Sequence, residues 1–292
     1  MANPSLPNSV HIVAGNGGLP CVQVRHPVAE ADLYLQGAHL THFQPAGSQP
    51  VLFLSGKSLF AEGKPIRGGV PLIFPWFGAR QDDPKSPMHG FARNLPWELV
   101  EATASTEGVT LRLRLESGPQ TLAVWAHPFI VEFEVVVGRK LGLAFSVSNP
   151  STEAFQFEEA LHTYFQVADV RAVRVTGLEN TVFLDKTDGF ARKEEGTEPI
   201  AITAETDRIY LETESACMIA DAGRRIRIGK SGSRTTVLWN PWVAKSAAMA
   251  DFGDDEWPSM LCIETANTHP APVTLTPGAT HRMTAEIEVH PA

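Results

Sequence analysis

Short runs in which apolar and polar side chains alternate strictly recur along the chain, and a period of two belongs to half-buried β-strands. In VTLRLRLES, Val109, Leu111, Leu113 and Leu115 alternate with Thr110, Arg112, Arg114 and Glu116. The same pattern runs through LGLAFSVSN (Leu141 to Asn149), RRIRIGK (Arg224 to Lys230) and TAEIEVH (Thr284 to His290). Gly, Pro, Asn and Ser punctuate the gaps, as turns between strands require. With 23 Gly and 22 Pro spread over 292 residues, long amphipathic helices have little room. The pattern predicts an all-β chain built as an antiparallel β-sandwich. Sandwiches of roughly 200–250 residues often form one domain, and no repeat, low-complexity block or polar linker divides this chain. Residues 11–292 are therefore expected to form a single domain behind a loosely ordered N-terminus, residues 1–10.

Hydrophobic residues make up 43% and charged residues 20% of the chain, enough apolar matter for a sizeable core. The net charge of −9 repels nucleic acid and anionic lipid, and no long basic run offsets it. The expected partner is a small molecule, with neither nucleic acid nor membrane; an anionic ligand would need a local basic pocket. Cys21, Cys217 and Cys262 are odd in number and lack a C-x-x-C pair, and His39 with His42 has no third ligand nearby. The start MANPSLPNSV lacks the marks of a secretory signal, and no apolar run approaches the ~18 residues that span a bilayer. A cytoplasmic monomer with neither metal nor cofactor is expected. In GRRIRIGKS five residues rather than four separate Gly223 from Gly229, so it is not a phosphate loop, and no G-x-S-x-G elbow is present.

Residues 66–97, IRGGVPLIFPWFGARQDDPKSPMHGFARNLPW, look unlike any strand. Gly68 and Gly69 permit backbone geometry or close approach closed to other residues, and Pro71 and Pro75 remove donors from any ladder. Such a segment suits the wall of a pocket, with Arg67, His89 and Arg93 set among its aromatics.

Through its RGGVPLIFPWFG and HGFAR blocks, the chain resembles the glucose-6-phosphate 1-epimerase (hexose-6-phosphate mutarotase) family of the galactose mutarotase superfamily. Three further blocks follow in the family's order: EEALHTYFQV, TDRIY, and VLWNPWVAKSAAMADFGDDEWPSMLCIETANT. The resemblance implies a β-supersandwich, a sugar phosphate as the small-molecule partner, catalytic His162 and Glu264, and substrate contacts at Arg67, Arg93 and Asp207. Met88 stands where similar proteins often carry Gln and cannot donate an amide hydrogen bond, so His89 is expected to take a larger share of that contact.

These residue types suit anomer exchange. Opening a pyranose requires a base for the O1 proton and an acid for the ring oxygen O5; rotation about C1–C2 and reclosure follow. A carboxylate with an ordinary pKa near ~4.3 can accept the first proton and an imidazole near ~6.5 can deliver the second. Glu264 is the expected base and His162 the acid. If EEALHTYFQV is a strand, His162 shares a face with Ala160, Tyr164 and Gln166, and in MLCIET, Glu264 shares one with Cys262 and Met260. Both then point away from the more apolar side. Arg67 and Arg93 offer guanidinium forks for a phosphate, Asp207 an acceptor for sugar hydroxyls, and Trp76, Trp239 and Trp242 rings for stacking. Two other readings use the same fold: a mutarotase for unphosphorylated aldoses, and a non-catalytic carbohydrate-binding or regulatory protein.

Overall fold

The computed structural model describes residues 5–80 and 82–292. Two eight-stranded antiparallel sheets dominate it, accompanied by a four-stranded meander over Val10–Pro45 and a two-stranded ribbon pairing Phe155–Phe157 with Val273–Leu275. The expected loose N-terminus, residues 1–10, lies in part outside the described residues; Val10 opens the first strand and pairs with Val24. Among the described residues no helix is long and apolar enough to cross a membrane.

All four alternating runs lie in the same sheet, within the strands Gly108–Glu116, Leu141–Ser148, Arg224–Ser231 and Thr280–Pro291. There Val109, Leu111 and Leu113 are buried while Thr110, Arg112 and Arg114 are only partly covered. One face packs and the other meets water, the condition that produces alternation. The exposed face carries cross-strand charge pairs such as Arg112 with Glu101 and Glu134, each worth at most about 1 kcal/mol on an open surface.

The second sheet runs Ala191–Glu194, Val182–Asp185, Thr206–Tyr210, Thr235–Asn240, Met260–Asn267, Glu159–Leu161 and Leu72–Ile73, with Tyr164–Gln166 also paired to Met260–Asn267. Its central strands Thr235–Asn240 and Met260–Asn267 are buried at every residue, so both faces are covered and no alternation shows. One continuous apolar cluster joins Leu111, Phe133 and Phe145 of the first sheet to Leu161, Phe165 and Ile263 of the second. Phe74 sits at this junction, its ring edge-on to Phe129, Phe145 and Phe157 at 5.2, 6.0 and 5.5 Å.

Residues 66–75 run beside the 159–166 strand as a largely irregular wall. Gly68 and Gly69 adopt φ of 116° and 61°. A Cβ on Gly69 would stand 2.2 Å from the carbonyl oxygen of Leu40, so both the conformation and the close approach require glycine. His39 ties the meander to this wall: its buried Nε2 donates to the Gly68 carbonyl at 2.7 Å.

Candidate functional site

The cleft face of the second sheet is built from two register rows. Ile209 pairs with Val237 and Val237 with Glu264; one row along, Asp207 pairs with Trp239, Trp239 with Cys262, and Cys262 with Tyr164. Period two places all these side chains on one face. The EEALHTYFQV strand is interrupted. Leu161 faces Thr265 and Tyr164 faces Cys262, and the ladder is broken at the two residues between. The broken pair, His162 and Thr163, fills the gap opposite Glu264 and Ile263. The His162 N–H donates instead to the Pro71 carbonyl at 3.1 Å, and the Thr163 N–H turns back to Leu161 at 2.8 Å. The side-chain alternation survives the break, so His162 and Glu264 project into the cleft at the same level.

His162 Nε2 lies 3.4 Å from Glu264 Oε1, and the side chains are 9% and 1% exposed. Among the described residues, Nδ1 of His162 and Oε2 of Glu264 have no hydrogen-bond partner. Tyr164 stacks on the imidazole with centroids 4.9 Å apart and planes 10° apart, and Trp239 meets it edge-on at 5.9 Å. These two rings fix the plane in which the imidazole can exchange a proton.

Burial pulls His162 well below the usual histidine range, and the charges of Arg93 and Arg67 act in the same direction. Burial pushes the Glu264 carboxyl well above the usual range, against the attraction of Lys186 and Arg93. The two proton affinities are thus drawn toward one another. Burial works against the charged form of both groups and removes the ordinary preference of the proton for the imidazole over the carboxylate.

The cleft above the pair has a volume of about 940 Å³ and is lined by Arg67, His89 and Asp207, together with Trp76 and Trp239. Arg67 donates from Nη1 to the Tyr164 hydroxyl at 3.0 Å and from Nη2 to both Asp251 oxygens at 3.2 and 3.1 Å. Burial opposes its charge, but Tyr164 and Asp251 together hold its pKa above the ordinary arginine value. His89, at φ 66°, stands edge-on to His162 at 5.7 Å, and its Nδ1 accepts the Gly78 N–H at 3.2 Å. Trp242 is not among the lining residues; its ring packs on Trp257 at 4.3 Å.

Arg93 is placed differently from the other expected contacts. It does not line the cleft; its buried guanidinium donates from Nη2 to the Met88 carbonyl at 2.8 Å. Burial lowers its pKa to about 10, so it stays charged at neutral pH and braces the Met88–His89 turn from behind.

A family model described as aldose 1-epimerase matches residues 20–288. The chain belongs to the aldose 1-epimerase family. An Escherichia coli (strain K12) relative, provisionally named a glucose-6-phosphate 1-epimerase, is 38% identical over 251 residues, covering 85% of this chain and 83% of that one. A relative from Cenchrus ciliaris with the same provisional name is 36% identical, over 85% and 78% of the two chains. Among solved structures, a provisionally named mutarotase from Salmonella typhimurium superposes with a TM-score of 0.92 at 33% identity, covering 99% of this chain and 96% of that one. Galactose 1-epimerase from Lactobacillus acidophilus NCFM, at 11% identity and a TM-score of 0.75, shares the fold. The galactose mutarotase-type β-supersandwich expected from the resemblance is therefore the architecture of this epimerase.

Among the residues of the epimerase cleft that escaped sequence reasoning are Lys186, Lys245 and Glu158. Lys186 sits in the turn FLDKTDGF and Lys245 in the short helix Trp242–Ala247, and neither context marks a ligand site. Lys186 Nζ is 3.1 Å and Lys245 Nζ 3.6 Å from the same Asp207 oxygen, Oδ2. Glu158 Oε2 accepts the Phe77 N–H at 2.8 Å and Oε1 accepts the His269 N–H, pinning two loops that border the cleft. The EE doublet at 158–159 was a visible signal for it, but the loops it joins are distant in sequence.

Proposed function

We propose that the chain interconverts the α and β anomers of aldose 6-phosphates, glucose 6-phosphate foremost, with His162 and Glu264 as the proton-transfer pair. The observation that carries this reading is the opposition of the two side chains across one ladder gap, 3.4 Å apart, each with an unpartnered atom. Glu264 takes the proton from O1 while His162 delivers one to O5, and the C1–O5 bond opens to the free aldehyde. After rotation about C1–C2 the O5 hydroxyl attacks the other face of C1, His162 recovers its proton, and Glu264 returns one to O1. The pair begins and ends with one proton, so no outside acid or base is required. Each positioned group contributes ~10²–10⁴-fold to the rate.

The names of the relatives and the cationic side chains around the cleft support a phosphorylated substrate. Arg67 is read as a substrate contact at the cleft wall, His89 as a neighbour of the reacting carbon, and Arg93 as the residue that positions the Met88–His89 turn. Met88, 57% exposed at the cleft, presents an apolar thioether where Gln would offer an amide. Three free, buried cysteines support a reducing, cytoplasmic setting.

The direct test adds pure α-glucose 6-phosphate and follows its approach to anomeric equilibrium by NMR, with glucose run in parallel. Acceleration over buffer that is larger for the phosphate ester supports the reading. Relaxation at the buffer rate with both sugars overturns it. Faster exchange with glucose alone would identify an unphosphorylated aldose as the substrate; the pairing of Arg67 with Asp251 weighs only against anion capture by this arginine.

A further inference from the structure

We propose that the ammonium groups of Lys186 and Lys245 form the seat for the substrate's 6-phosphate, and that Asp207 is the residue that positions both. The inference rests on the aldose 6-phosphate reading and assigns its anion-binding end. Within the cleft two ammonium groups converge on one carboxylate oxygen, at 3.1 and 3.6 Å. Two cations sharing one oxygen repel each other, and a phosphate dianion between them relieves that repulsion. Lysine acts at such a site as a point charge with rotatable donors.

The other positive groups near the cleft are already engaged. Arg67 is paired with Asp251 and Tyr164. Arg80 is held by both oxygens of Asp82 at 2.8 and 2.9 Å and by the Val124 carbonyl. Arg93 lies behind the Met88 carbonyl.

The turn that carries Lys186 leaves Asp207, inside the cleft, as its carboxylate partner. Asp185 accepts from the Thr187 N–H at 3.0 Å and the Thr187 hydroxyl at 2.6 Å, and Lys193 bonds Asp185 and Asp188 at 2.8 Å each. The two acids flanking Lys186 are therefore satisfied by other partners. The turn ends at Gly189 and Phe190, at φ of 59° and 64°; a left-handed aromatic is an uncommon, strained position found where a turn is held by its surroundings. Lys245 arrives from the opposite side, on the Trp242–Ala247 helix, steadied by Glu205 at 3.1 Å. Both lysines keep solvent access, at 24% and 40% exposure.

The location fits the length of the substrate. Asp207 stands two strands from Glu264 and one register row along, a lateral offset of about 10 Å at ~4.8 Å per strand. Lys186 is still close enough for its charge to act on Glu264 and His162. One end of a hexose phosphate can thus lie at the proton-transfer pair and the other between the lysines.

The test compares kcat/KM for glucose 6-phosphate with kcat/KM for glucose in the wild type, Lys186→Met, Lys245→Met and Lys186→Arg. Each Met variant is expected to lower the ratio by about tenfold or more, mainly through KM for the phosphate ester, whereas Lys186→Arg retains most of it. Asp207→Asn is expected to lower the ratio as well. Unfolding temperatures close to wild type show that the variants fold. A ratio within about twofold of wild type in both Met variants overturns the lysine seat while leaving the function intact. Equal losses on both sugars in Asp207→Asn overturn the positioning role and return Asp207 to a sugar-hydroxyl contact. A wild type without activity on glucose 6-phosphate overturns the function itself, whatever the variants do.

Discussion

At Glu264 a carboxylate that is 1% exposed faces an imidazole with one oxygen and leaves the other without a partner. Burying such a group without a full set of partners is costly, and buried, strongly perturbed carboxylates cluster at functional sites. Glu264→Gln preserves the shape and removes the titration. It is expected to cut kcat by ~10²–10⁴-fold with folding intact, measured by NMR exchange of glucose 6-phosphate anomers alongside thermal unfolding. Unchanged kcat would remove Glu264 from proton transfer. Because the working pair holds one proton, activity is expected to fall on both sides of an optimum. At low pH both groups are protonated, and at high pH neither is; the two limbs report macroscopic constants of the pair. With burial and two arginines holding His162 down, the acid limb is expected below the ordinary imidazole value of ~6.5. A limb well above it would contradict the electrostatics of the site.

Among the elements, the 66–75 wall shows most directly how local sequence positions the chemistry. Gly69 donates its N–H to Phe53 at 2.7 Å and accepts the Tyr164 N–H at 2.9 Å, while Pro71 accepts from His162. The wall thus replaces the ladder partner that His162 lacks. Gly69→Ala would place a methyl 2.2 Å from the Leu40 carbonyl at a φ of 61°, at a cost of more than about 2 kcal/mol. A drop in the midpoint of urea unfolding, with weaker anomer exchange in the folded fraction, is expected; an unshifted midpoint would mean that the wall yields. The strict alternation marked only the sheet with one wet face. In Thr235–Asn240 and Met260–Asn267 every residue is buried, because one side packs in the core and the other floors the cleft. Periodicity carried no signal there, and motif resemblance was needed to single out the strand that carries Glu264.

Over the whole molecule, the net charge of −9 coexists with a cleft into which Arg67, Arg80, Lys186 and Lys245 all project. Long-range repulsion of anions is overcome only at short range, where the local cations act within the Debye length of ~10 Å at 0.1 M salt. Global stability carries its own pH signature. His39 is fully buried, and desolvation lowers its pKa to about 4 from 6.5. The unfolded chain therefore binds a proton below pH ~6.5 that the native state refuses until pH ~4, so stability is complete above this window and declines as pH falls through it. The contribution is about 3 kcal/mol at the acid end. Urea unfolding between pH 4 and 7.5 is expected to show this decline and His39→Gln to lessen it, since Gln can still donate to Gly68 while buried His89 and His162 supply the rest; an identical slope in the variant would place the effect elsewhere.

Local sequence by itself determined the half-buried strands and the glycines of the pocket wall, because side-chain period and backbone φ are properties of neighbouring residues. Only the tertiary structure decided that His162 and Glu264 meet across a gap in one ladder. It also decided that Arg93 braces a turn while Lys186 and Lys245 face the cleft. Strand register and charge pairing join residues far apart in the chain, such as Arg67 with Asp251 and Asp207 with Lys245. How each cation is presented to a ligand depends on which carboxylates it meets.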